Sequence, residues 1–206
     1  MMTYVIIIVT VVVSIACFGN SRLFGALALV PYRVFKNKEW YRLITYGFVH
    51  ADYTHLIINM LVFWSFGVYV ERIFKMYAQA RMIGNGTIDF LLLYFGGMVV
   101  ATLHDLIKRR NDPAYVSIGA SGAVSAVVFT SIFFNPWSKI YFFGILPIPG
   151  IIFGVLYLVY SQYMARRGVG NVNHTAHFYG ALFGFVFPIL VNPSLAYEFL
   201  KHFNFN

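Results

Sequence analysis

Cysteine and charge are what this chain has least of. One of its 206 residues is cysteine, Cys17, which excludes a disulfide framework and any multi-cysteine metal site. Charged residues make up 11%, against about 25% in soluble domains, too few to cover the surface of a water-soluble globule. Acidic residues number seven, and none lies midway along an apolar stretch. That counts against a proton-coupled transporter, which uses intramembrane acids. The HExxH signature of zinc proteases is absent. What is present is apolar: 60% of the residues are hydrophobic and mean hydropathy is +0.72. Disorder is thereby excluded, since it needs low hydrophobicity and high charge. Net charge is +8. The basic residues sit in connecting loops, so the charge points to anionic lipid headgroups rather than to nucleic acid.

The charged residues punctuate six apolar stretches, and the expected spans are about 3–18, 53–70, 88–107, 119–135, 147–165 and 174–192. Each is near the roughly 20 residues that cross a bilayer as a helix. The period-2 alternation of a membrane barrel is missing. No internal repeat or low-complexity linker divides the chain. The expectation is an all-α, polytopic membrane protein with residues 1–206 forming a single domain. The first stretch lacks a Lys or Arg ahead of its apolar core, which argues against a cleaved signal peptide. The long first loop, 19–52, mixes Leu23, Phe24, Leu27 and Phe35 with Arg33, Lys36 and Lys38. It reads equally as a segment lying in the membrane interface or as a plain soluble loop.

Polar side chains inside apolar helices are expensive, and each is a functional candidate by default. The second stretch opens with His50, His55 and Asn59, the last two sharing a helix face. The fourth opens with Gly119-Ala120-Ser121-Gly122. In the sixth, His177, Gly180 and Gly184 form one stripe, and two glycines a turn apart let another helix backbone come close. Packed against the small residues of the fourth stretch, this stripe brings the Ser121 hydroxyl toward the His177 imidazole. A serine nucleophile needs such a base to take its proton. Asp89, Asp105 and Asp112 lie near span ends, so a Ser–His dyad is expected rather than a triad. Attack on an amide also needs donors for the oxyanion. The Asn59 amide, a His50 or His55 N–H and the Ser121 backbone N–H are the candidates. The bland alternatives are small-residue packing for Gly-x-Ser-Gly, and packing, a pore or a metal site for the histidines His50, His55, His174 and His177.

With these residues in place, the chain resembles the rhomboid family of intramembrane serine proteases. Trp40 and Arg42 match the family's W-x-R loop motif. His55 and Asn59 match H-x-x-x-N, with His50 upstream. Gly119, Ser121 and Gly122 match G-x-S-G, and Ala176, His177, Gly180 and Gly184 match A-H-x-x-G-x-x-x-G. Gly67 and Glu71 match a Gly-x-x-x-Glu at the end of the second helix. The resemblance implies a six-helix bundle with a water-filled cavity, Ser121 as nucleophile and His177 as base. It gives His50 and Asn59 an oxyanion role and His55 a supporting one. It also implies a cap around Arg166 to Asn173 and a multi-pass location in the cell (inner) membrane. The substrates would be transmembrane helices, with no cofactor, metal or nucleic acid involved. The rival reading is a rhomboid-like protein that binds client helices without cutting them. Two positions depart from the pattern. Ser125 stands where the family often has an aromatic under the histidine, with Phe178 or Tyr179 expected to compensate, and Lys75 stands where glycine is common. The charge count also departs: ten basic residues lie in the first, third and fifth loops and five on the other side. The positive-inside rule then puts the site's loops in the cytoplasm, opposite to the bacterial family's usual orientation.

Overall fold

The computed structural model of the chain describes residues 1–142, 145–167 and 173–203. The chain starts with an unbroken apolar helix, α1 (Met2–Phe18). The first loop that follows is built rather than plain. It holds α2 (Ser21–Leu27), capped by the Asn20 side chain, and α3 (Pro31–Asn37), opened by a proline. After these come α4 (Arg42–Thr45) and a 3-10 turn, Tyr46–Phe48. Leu29 and Val34 are fully buried, and Leu29 pairs through its backbone with Ser117. Arg42 is buried too. Its guanidinium donates to the carbonyls of Gly25 (2.9 Å) and Ala28 (2.5 Å) and pairs with Glu39. A buried charge is tolerable only when so satisfied.

Two long helices follow. α5 (Tyr53–Gln79) is capped by Asp52, whose carboxylate accepts the His55 N–H at 2.7 Å. α6 (Gly86–Lys108) is capped by Asn85. α7 (Ser121–Phe134) is short and central, and every residue from Gly122 to Phe134 is buried. An antiparallel hairpin, β1 (Lys139–Phe142) and β2 (Leu146–Pro149), leads into α8 (Gly150–Arg167). α9 (His174–Val191) and the short α10 (Leu195–Lys201) end the fold. The chain is an all-α integral membrane protein, the hairpin aside. α5, α6 and α9 are long and apolar enough to cross a membrane, and α1 and α7 are shorter apolar helices.

Three helices have bounds that differ from the expected spans. The second stretch continues as helix past residue 70 to Gln79, because Glu71 and Lys75 form an i,i+4 ion pair at 2.7 Å. The fourth begins as helix at Ser121 rather than 119, since Gly119 has φ +106°, outside helical space. The fifth begins at Gly150 rather than 147, because residues 147–149 are paired in β2. Glu71 also explains how α1 is held. Its carboxylate accepts the N–H groups of Met2 (2.9 Å) and Thr3 (3.0 Å) and the Thr3 hydroxyl (2.8 Å). A Cβ on Gly67 would lie 2.9 Å from the Thr3 methyl, so this glycine lets α1 approach.

Candidate active site

The site forms where α7 meets α9. A Cβ on Gly180 would strike the carbonyl of Gly122, and one on Gly184 would strike that of Ala126. The two backbones therefore touch at two points one turn apart, as the small-residue stripe anticipates. Gly97 of α6 packs as closely on the other side, where a Cβ would come 2.9 Å from that of Ala126. Ser121 immediately precedes Gly122, and His177 lies one turn before Gly180. The contact between these glycines therefore lies within one turn of both Ser121 and His177. Both side chains are half-buried, and they are not hydrogen-bonded to one another. Apo sites often show such loose pairs.

Ser121 is the first residue of α7, so the opening N–H groups of the helix have no intrahelical acceptor. Val124 is the first to find one, the Ala120 carbonyl at 2.9 Å. The turn before it is positioned from two sides. Gly119 N–H donates to the Tyr46 carbonyl at 3.0 Å. The His55 ring stands over Gly119, where a Cβ would come within 2.8 Å of the imidazole. With φ at +106° as well, only glycine fits here.

His50 is fully buried. The Ser14 hydroxyl donates to the Phe48 carbonyl at 2.8 Å, so it accepts from His50 Nδ1 at 2.9 Å. The other ring nitrogen, Nε2, accepts the Ala120 N–H at 3.4 Å. Burial, with His55 beside it at 4.9 Å between centroids, holds its pKa down at about 3 against a weaker opposing pull from Asp52. His50 is therefore neutral and joins α1 to the peptide ahead of Ser121. Asn59 is buried and donates one amide hydrogen to the His55 carbonyl at 2.9 Å, which leaves the second free.

Two features escaped the sequence reading. The first is Asp105, buried near the end of α6. It accepts from Tyr115 at 2.7 Å and from the Asn173 amide at 2.6 Å. Asn173 in turn caps α9 through the Ala176 N–H at 3.0 Å. Burial, then the bond to Asp105, pushes the Tyr115 phenol above its ordinary value, so it stays a donor. The second is Tyr157 of α8, whose ring lies parallel to the His177 imidazole, 6.3 Å between centroids and 19° between planes. Neither Phe178 nor Tyr179 takes that place. Tyr179 stacks on His104 at 5.9 Å, and Phe178 lies edge-on to Tyr179. The cap expected around Arg166 to Asn173 falls largely at 168–172, outside the described residues. His174 lies 6.0 Å from His177, and among the described residues no group of three or more His, Cys, Asp or Glu is gathered for a metal.

A family model described as the Rhomboid domain matches residues 37–194. The chain belongs to the rhomboid family. Among its relatives is RHOMBOID-like protein 12, mitochondrial, of Arabidopsis thaliana, 28% identical over 71% of this chain and 45% of the relative. Rhomboid-like protein 11, chloroplastic, of the same plant is 30% identical over 82% of this chain and 58% of its own length. Rhomboid protease GluP of Bacillus subtilis is 26% identical over 71% of this chain and 25% of its own. This rhomboid thus spans between a quarter and three fifths of the length of these relatives. The matched segment begins at Asn37, so it contains Arg42, His50, Asn59, Ser121 and His177, while α1, with Ser14, lies outside it.

Proposed function

We propose that this rhomboid is an intramembrane serine endopeptidase that cuts transmembrane helices of membrane-protein substrates. The observation that supports the reading is the backbone contact of Gly122 with Gly180, next to Ser121 on one helix and one turn from His177 on the other. In the proposed reaction His177 takes the Ser121 proton as the hydroxyl attacks the scissile carbonyl, then returns it to the leaving amine. The N–H groups opening α7 and the free hydrogen of the Asn59 amide receive the oxyanion. His50 helps indirectly. In its tautomer it offers no N–H at Nε2, and it acts by holding the Ala120 peptide. The membrane is proposed to be the cell (inner) membrane, with membrane fractionation as the check.

Labelling by a fluorophosphonate probe and cleavage of a panel of transmembrane substrates test the reading. Wild type should label and cleave, and Ser121→Ala should do neither while keeping its melting temperature. His177→Ala should be about as damaging, and the double variant no slower than either single one, because such pairs act as a unit. Cleavage near the wild-type rate in Ser121→Ala would refute the assignment. A folded wild type that neither labels nor cleaves would favour a protein that holds client helices.

A further inference from the structure

We propose that Tyr157 is the positioning residue for the His177 base, with Ser125 as its anchor. The inference rests on the protease reading and adds to it what aims the imidazole.

Among the described residues no carboxylate, carbonyl or hydroxyl is hydrogen-bonded to the His177 ring. Its neighbours are rings: His174 edge-on at 6.0 Å and Tyr157 nearly parallel at 6.3 Å. Parallel rings within about 7 Å attract and restrict each other's tilt. A positioning ring must itself be held, and Tyr157 is held on three sides. Phe129 of α7 lies 5.6 Å away and Phe153 of α8 lies 5.9 Å away. The Tyr157 hydroxyl is hydrogen-bonded to Ser125 Oγ at 2.8 Å.

The anchor sits where it matters. Ser125 is one turn after Ser121 on α7, so one helix carries both the nucleophile and the tether of the ring that aims its base. Ser125 is buried and Tyr157 half-buried, and their hydroxyls satisfy each other. Were packing the whole requirement, Phe and Ala would serve without the cost of desolvating two hydroxyls. The fixed link also matters because α8 is loosely embedded. Among the described residues only Gly150, Gly154 and Ser161 of it are buried. Close approach at Gly154, where a Cβ would be 3.4 Å from Phe129, and the Ser125 bond are what register Tyr157 against α7.

The test uses the full chain purified in detergent, with a transmembrane substrate and the fluorophosphonate probe. Tyr157→Leu should lower kcat and the labelling rate together by about 10- to 100-fold, as small misplacements of a reacting group do, with KM little changed. Tyr157→Phe and Ser125→Ala keep the ring and lose only its tether, so each should lose much less. Histidine-labelled protein supplies a readout independent of turnover. The His177 ring resonance, assigned by its absence in His177→Gln, should move in Tyr157→Leu as the neighbouring ring is removed and the imidazole reorients. Wild-type kcat in Tyr157→Leu would overturn the proposal. So would a loss that tracks only the folded fraction while the resonance stays in place. A wild type that neither cleaves nor labels would refute the protease reading instead. An unmoved resonance in Tyr157→Leu, or one moved only by the lost ring current, would still overturn the positioning role by itself, and a larger shift would support it.

Discussion

His50 links the start of the site to α1 through one neutral ring, and this has a consequence in acid. Its pKa in the fold is about 3, against about 6.5 in an unfolded chain. Between those values the unfolded state binds the proton and the folded state does not, so stability falls as pH drops from about 6.5 toward 3. The melting temperature of detergent-solubilised protein should therefore decrease across that window. His50→Gln should start lower at neutral pH and show a shallower acid decline, and an unchanged slope would remove His50 as a cause. Asn59 makes a kinetic prediction. Loss of one oxyanion donor costs about 10²–10³ in turnover, so Asn59→Ala should lower kcat by that order with KM little altered. A destabilised protein with normal kcat would give Asn59 a structural role only. Ser121, His177 and Asn59 stand out as candidates in the sequence because polar residues in apolar runs are conspicuous. Tyr157 does not, because 15 tyrosines look alike until a neighbour 32 positions away in the chain supplies its anchor.

At the scale of elements, the glycine pairs hold α7 and α9 together. Gly180 and Gly184 have backbone where a Cβ would go, so neither neighbour can yield cheaply. Gly180→Ala and Gly184→Ala should each cost about 1–3 kcal/mol or more as overpacking, read by thermal or SDS denaturation. Gly25→Ala is the control: nothing lies within 4 Å of its added methyl, and it sits in α2, where alanine favours helix by about 1 kcal/mol. If Gly180→Ala and Gly25→Ala melted alike, close packing would not be what seats α9. The helical stripe and its partner surface could be read from spacing alone. The hairpin could not, because Leu146–Pro149 is apolar enough to pass for the start of a helix, and only pairing with Lys139–Phe142 shows otherwise. The first loop was ambiguous for a similar reason. Its apolar residues read as lipid-facing, but Leu29 and Val34 face protein, around an arginine whose partners are carbonyls that no sequence pattern marks.

For the molecule as a whole, the basic residues are not all free to signal orientation. Of the ten on the site's side, Arg42 is buried in the first loop, and of the five opposite, Lys75 is paired with Glu71. A count of charges therefore treats structural cations as topological ones. The short central helix has a further consequence. α7 has 14 residues, about 21 Å of helix, in a hydrocarbon layer about 30 Å thick. Its far end gives way to Asn135, an exposed Trp137 and Lys139, residues suited to the opposite interface. Ser121 is then recessed by the remainder, about 9 Å below the near surface. An extended strand descends about 3.3 Å per residue, so on the proposed protease reading a transmembrane substrate would have to surrender at least three residues of its helix to reach the serine. On that reading, selection would act on how easily a helix end comes apart as well as on the side chains beside the cut. In substrates with one glycine stepped along the transmembrane segment, cleavage should be fastest when it falls within about three residues of the scissile bond. A flat profile would mean that fragility is not what the recessed serine selects.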